Sequence, residues 1–223
     1  MTGWIAGHNE AHNAAHRTLG NDKETRMTQS SDSQPAAPAL ANPAVVGLAG
    51  FAMTTLMLQF HNLGLIGIAP VIWLGFIFGG AAQFIAGFHE QKMGNNFGFA
   101  AFCGYGAFWI SFCAYVVAST SDNKLFALND HDLGYYLGVW GLFTFGLWIA
   151  SFRISKMMWL TFTTLTLGFF GLAVVKLGIA PDMLKPAAYD LIVCAFCAWY
   201  MMLSIVFKST FGRDILPVGK GWF

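Results

Sequence analysis

Phe51, Thr54, Thr55 and Leu58 recur at i, i+3, i+4 and i+7 within an apolar run, which sets a ring, two hydroxyls and an aliphatic group on one helix face. A selective, uncharged pore lining needs such a face, because hydroxyls replace part of a small solute's hydration while the bulky groups limit its size. Tyr105 and Trp109 form a similar i, i+4 pair. Gln83, Ser111, Thr161, Thr163, Thr164 and Thr166 add neutral polar groups inside apolar sequence. Buried hydroxyls and amides need partners, and most of these are read as bonded to a backbone carbonyl or a neighbouring helix.

Ionisable groups are scarce in the same runs. Lys176 and Asp190 stand near run ends, and Glu90 falls just beyond the second run. A coupled pump keeps a carboxylate or histidine relay at membrane depth, and this pattern does not resemble one. Cys103, Cys113, Cys194 and Cys197 all lie in apolar sequence, so the Cys194-Ala-Phe-Cys197 spacing is read as small buried side chains and not as a metal or redox pair. His8, His12 and His16 would share a helix face able to hold a metal, but their polar surroundings favour low-complexity sequence, and no metal or cofactor is assigned. No nucleophile–base pair or metal cluster can be assembled, so an enzyme is the least favoured class.

The elements carrying these residues belong in a bilayer. The chain is 56% hydrophobic, 16% aromatic and only 10% charged, with 22 Phe and 8 Trp, whereas a soluble domain carries roughly a quarter charged residues. Lipid is the natural partner for the excess of apolar surface. A formal net charge of +1 carries no nucleic-acid footprint.

Residues 1–41 read as a disordered polar tail without the charged start and apolar centre of a signal peptide. Met27 within it is a second candidate start. From Pro43 onward six apolar blocks follow: 44–60, 63–88, 97–120, 133–152, 157–177 and 187–207. A spanning helix needs about 20 apolar residues. The expected layout is a 42–210 transmembrane domain and a 211–223 cytoplasmic tail. Pro43 suits a first helical turn, and the Asn42-Pro43 start is expected to line a cavity. Gly75-x-x-x-Gly79 and Gly134-x-x-x-Gly138 are read as ordinary close helix packing. With the N-terminus inside, nine of the twelve Lys and Arg fall on the cytoplasmic side, and six of nine from Met27 onward. The positive-inside rule therefore puts both termini in the cytoplasm and the loop with Asp122, Asp130 and Asp132 outside.

A series of motifs in fixed order resembles the acetate uptake transporter (SatP/YaaH-like) family, from Asn42 to about Gly219. It opens with Asn42-Pro43-Ala44-Val45-Val46-Gly47-Leu48, Gly50-Phe51-Ala52-Met53-Thr54-Thr55 and His61-Asn62. It continues with Gly79-Gly80-Ala81-Ala82-Gln83, Gly94-Asn95-Asn96-Phe97-Gly98 and Tyr105-Gly106-Ala107-Phe108-Trp109. Tyr136-Leu137-Gly138-Val139-Trp140-Gly141 and Phe211-Gly212-Arg213-Asp214-Ile215-Leu216-Pro217 complete it. Val45-Val46 departs from the family's commoner Pro-Leu, and Ala107 stands where Ser is frequent, which leaves substrate preference open.

The resemblance implies an all-α integral membrane protomer of six helices, with a urea-channel-like bundle in a hexameric ring. It implies passage of acetate, often succinate or other short monocarboxylates, accompanied by protons. It puts a constriction at Phe51, Tyr105 and Leu165. The substrate is expected to meet Asn42, Thr54, Thr55, Gln83 and Trp109 in the plasma membrane (the cell inner membrane). The rival expectations are a channel for a neutral solute such as urea or ammonia, and a membrane sensor whose tail is the active part.

Overall fold

The computed structural model describes residues 40–120 and 129–223. The tail histidines, Met27, Asp122 and Lys124 lie outside the described residues. Residues Asn42–Phe223 form one compact unit, and its described residues hold six helices long and apolar enough to cross a membrane. These are α1 (Ala44–Asn62), α2 (Ala69–Lys92), α3 (Asn96–Ala118), α4 (Asp130–Ser151), α5 (Lys156–Lys176) and α6 (Leu184–Phe211), the last entered through a 3-10 turn at Pro181–Met183.

Local sequence sets most of the boundaries. Asn95, Asn129 and Ser155 cap α3, α4 and α5, each side chain accepting from a backbone N–H three residues on. Gly212 ends α6 in the left-handed conformation, φ 68°. The second apolar block differs from expectation at its start. Leu63–Ile68 is a turn, because Gly64 takes φ 75° after α1, and the helix begins only at Ala69 with Pro70 in its first turn.

α1 packs on α6, α4 on α5, α5 on α6, and the last part of α2 on α3. Large apolar side chains such as Trp73, Ile77, Val139, Leu142 and Ile149 point outward and are more than half exposed. An aqueous surface would penalise such a band, whereas hydrocarbon accepts it.

Within α2 the backbone changes period. Gly75–Ala82 is a π-helix, and the Gln83 N–H reaches back to the Phe78 carbonyl, five residues earlier. Small residues here let α1 approach closely. A Cβ on Gly50 would stand 2.5 Å from the Phe78 carbonyl oxygen, and one on Gly79 would collide with Thr54. The Gly75/Gly79 pair thus sits inside the π segment, where it makes room for α1 and for α3's Cys113.

Beyond Gly212 the chain turns back onto the bundle. The Met157 N–H donates to the Val218 carbonyl at 3.0 Å, and the Trp222 N–H to the Phe152 carbonyl at 2.8 Å. Tyr200 Oη donates to the Pro217 carbonyl at 3.0 Å. Arg153 and Lys156 lie over the Phe223 and Trp222 rings. The segment therefore straps the α4–α5 turn to α6.

Candidate functional site

Two cavities lie inside the bundle. A wide one of about 430 Å³ opens among the start of α1, the ends of α2 and α6, the α4–α5 turn and the strap residue Val218. A narrow one of about 80 Å³ lies toward the other end, by Asn62, Leu133, Lys176 and Leu184. Three side chains are common to both linings: Phe51 of α1, Tyr105 of α3 and Leu165 of α5.

All three are buried, at 7%, 3% and 3% exposure. The Phe51 and Tyr105 rings stand 5.6 Å apart at 49°. Tyr105 also packs against Phe143, Phe162 and Phe169. Its hydroxyl donates to Thr144 Oγ1 on α4 at 3.0 Å, so its one proton is committed and the face shared by the cavities is aromatic and aliphatic.

α1 borders both cavities along one stripe. Ala44 and Leu48 face the wide cavity, while Thr55, Leu58 and Gln59 face the narrow one, with Phe51 between them. Of the residues singled out in the sequence, Thr55 and Trp109 line the narrow cavity and Gln83 the wide one. Thr54 and Asn42 line neither. Thr54 is fully buried with its hydroxyl donating to the Gly50 carbonyl at 2.8 Å, and the π segment packs against it. Asn42 is exposed, and its Oδ1 accepts from the Ala44 N–H at 2.9 Å, an Asx turn just ahead of Pro43, the N-cap of α1. The threonines of α5 behave as expected of membrane hydroxyls, with Thr161, Thr163 and Thr166 each donating to the carbonyl four residues back.

Several lining groups carry no signal that periodicity alone could rank. Gln59 is fully buried; its Nε2 donates to the Thr55 carbonyl at 3.2 Å and its Oε1 accepts from Asn62 at 2.8 Å. Lys176 brings a cation to the narrow cavity while paired to Asp130 at 2.8 Å. Gln83 is fully buried with neither amide atom hydrogen-bonded among the described residues. Glu90, read as lying beyond its span, is inside it, 3% exposed and part of the wide cavity.

A bundle of six membrane-length helices around two internal cavities defines a multi-pass membrane protein. The chain belongs to the GPR1/FUN34/yaaH family, whose match covers residues 25–214, in agreement with the motif resemblance. It is 36% identical over 182 residues to the succinate-acetate/proton symporter SatP of Escherichia coli (strain K12), covering 81% of this chain and 96% of that one. It is 34% identical over 167 residues to ammonia transport outward protein 2 of Saccharomyces cerevisiae, covering 72% of this chain and 59% of the relative. The solved structure of the bacterial acetate channel SatP superposes with a TM-score of 0.76 at 35% identity, covering 81% of this chain and 100% of that one. These relatives are transporters and channels, not enzymes.

Proposed function

We propose that the protein carries acetate and related short carboxylic acids, succinate among them, across the plasma (inner) membrane, with a proton accompanying the substrate. The observation that carries this reading is the sharing of Phe51, Tyr105 and Leu165 by both cavities. A solute moving from one cavity to the other passes these three side chains, which therefore form the constriction. A bare carboxylate loses several kcal/mol of solvation in such an apolar passage. Neither Phe51 nor Leu165 offers a donor, and Tyr105's proton is held by Thr144. A neutral acid crosses at far lower cost, so the proton travels with it. Thr55, Trp109 and Gln83 are the groups that touch the substrate on either side, while Asn42 and Thr54 hold α1 in place. Both termini are cytoplasmic by the charge bias of the connections, and the working unit is a homo-oligomer, a hexamer by family likeness. The polar tail ends at residue 41, and residues 211–223 lie on the cytoplasmic side.

Labelled acetate uptake into proteoliposomes tests this. Leu165→Ala and Tyr105→Ala are expected to change acetate rate and the discrimination against longer acids by about tenfold, as loss of contact in a size-limiting pocket does. Unchanged rate and selectivity in both variants would mean the constriction lies elsewhere, and fast electrogenic uptake indifferent to pH would remove the accompanying proton.

A neutral-solute channel is the second reading, favoured by a wide-cavity lining that holds no Lys, Arg or His among the described residues and by the yeast relative named for ammonia transport. Competition of acetate uptake by excess urea or ammonia, against competition by propionate, separates the two.

A further inference from the structure

Among the described residues, Glu90 is the one carboxylate in the lining of either cavity, and the constriction does not use it. It is 3% exposed at the end of α2. An ionisable side chain at such depth is costly and calls for a stated partner or a task. Its two oxygens are treated differently. Oε2 accepts from Asn95 Nδ2 at 2.7 Å. Oε1 is buried and without a hydrogen-bond partner among the described residues.

Asn95 fixes that asymmetry. Its Oδ1 caps α3 by accepting from the Gly98 N–H at 3.1 Å, so its amide is turned with Nδ2 toward Glu90 and cannot flip without losing the cap. Gly98 is needed for the same arrangement, since a Cβ there would stand 2.8 Å from Glu90 Oε2 and 2.6 Å from Asn95 Nδ2. One oxygen is thus held as an acceptor, and the other is left able to carry a proton.

No fixed cation among the described residues of this lining neutralises the carboxylate. Among the described lining residues from α1, α2, α3, α5, α6, the α4–α5 turn and the strap, Tyr105 is the one other titratable group, and its hydroxyl is bound to Thr144. His89 and Lys92, the ionisable neighbours on α2 itself, are exposed and outside the lining.

We infer that Glu90 is the proton-exchange group of the wide cavity, giving its Oε1 proton to a substrate carboxylate there and taking it back from an arriving acid. The inference rests on the proton-accompanied transport proposed above. In one direction the Glu90 carboxylic acid and the substrate carboxylate become the Glu90 carboxylate and the neutral acid, which crosses the Phe51/Tyr105/Leu165 passage. Water on the wide-cavity side then returns a proton to Glu90. The reverse step unloads an incoming acid, and charge and protons balance in each case. Gln83, about two turns earlier on the same helix with its buried amide unpartnered among the described residues, offers a donor and an acceptor to the substrate during the exchange.

The test is Glu90→Gln in proteoliposomes, with labelled acetate flux and internal pH followed together while external pH is varied at constant undissociated acid. Glutamine keeps the size of the side chain and an oxygen for Asn95, so the α2–α3 turn is preserved while the exchangeable proton is lost. The wild type is expected to move protons with acetate. The variant is expected to lose its pH dependence and to fall by about a hundredfold in rate at acid pH, the lower end of the range for removing a general acid. A wild-type rate and pH profile in Glu90→Gln overturns the inference. Should that variant fail to fold, Glu90→Asp decides: a displaced carboxyl moves the midpoint of the pH profile, and an unmoved midpoint overturns the inference. Wild-type protein that carries no acetate would instead refute the transport reading, and electrogenic, pH-indifferent wild-type acetate flux would leave transport standing while overturning the accompanying proton and the role of Glu90 with it.

Discussion

Tyr105 donates its hydroxyl proton to Thr144 at 3.0 Å, and this bond ties α3 to α4 through the middle of the bundle. Thr144 is fully buried and in turn donates to the Trp140 carbonyl at 2.7 Å. A second hydroxyl pair, Ser111 with Tyr136 at 2.7 Å, joins the same two helices. The orientation of the Tyr105 ring between the two cavities therefore depends on a residue of α4 that lines neither.

That dependence orders two substitutions. Thr144→Val keeps the shape but leaves a buried phenol without its acceptor, at about 1 kcal/mol for a hydrogen bond within membrane helices. Tyr105→Phe removes the donor and leaves Thr144 bonded to Trp140, so it is expected to cost less. Thermal unfolding in detergent checks the order; a Tyr105→Phe protein that melts below Thr144→Val would show that the ring is held some other way.

The glycines separate into crowded and open positions. Gly50→Ala forces a methyl against the Phe78 carbonyl oxygen at 2.5 Å, an overpacking expected to cost about 2 kcal/mol. Gly138→Ala meets nothing within 4 Å, so it is expected to be neutral or to stabilise by about 0.5 kcal/mol through the helical backbone. Unfolding midpoints of the purified variants test both. A marked loss at Gly138 would put that position against a neighbouring subunit.

Lys176 joins electrostatics to the narrow cavity. Its pair with Asp130 is exposed, with side chains 34% and 71% accessible, so breaking it should barely change stability. Lys176→Gln is expected to raise the acetate concentration at half-maximal uptake by about threefold at low salt, an effect that fades as ionic strength rises. Asp130→Asn frees the cation and is expected to act in the opposite direction. Uptake curves at two salt concentrations decide, and a Lys176→Gln effect insensitive to salt would argue against attraction of an anion.

Much of the fold was legible because lipid imposes length and composition together. The starts of α1, α3 and α5 lay within a residue of the expected blocks, since Pro43, Asn95 and Ser155 mark them chemically. The turn at Leu63–Ile68 was hidden by its own apolar side chains, and only Gly64 and Pro70 hinted at it. Phe51, Thr55 and Leu58 could be put on one face from spacing alone. Thr54, at the margin of the same face, turns to α2 because a glycine there leaves room for it. Tyr105 and Leu165 were joined to Phe51 by motif likeness, as no periodicity links residues of three different helices. Glu90 stands past the last apolar residue of its block, so composition alone puts it outside the span, whereas the helix continues to Lys92 and the start of α3 covers Glu90. The strap was invisible because its hold is mainly backbone bonds and ring contacts, which no periodicity of a short irregular segment encodes.

The π segment gives the chain a sensitivity to length as well as to residue identity. Each residue of an ordinary helix advances the side-chain direction by about 100°, so the eight residues from Gly75 to Ala82 set the angle at which Gln83 and Glu90 leave α2. Restoring the common period over the same eight residues would over-rotate the rest of the helix and swing both side chains away from the wide cavity, whereas removing one residue along with it would bring their direction back. Relatives that keep every glycine but run this stretch as an ordinary helix of the same length would therefore share the motif and lack the geometry.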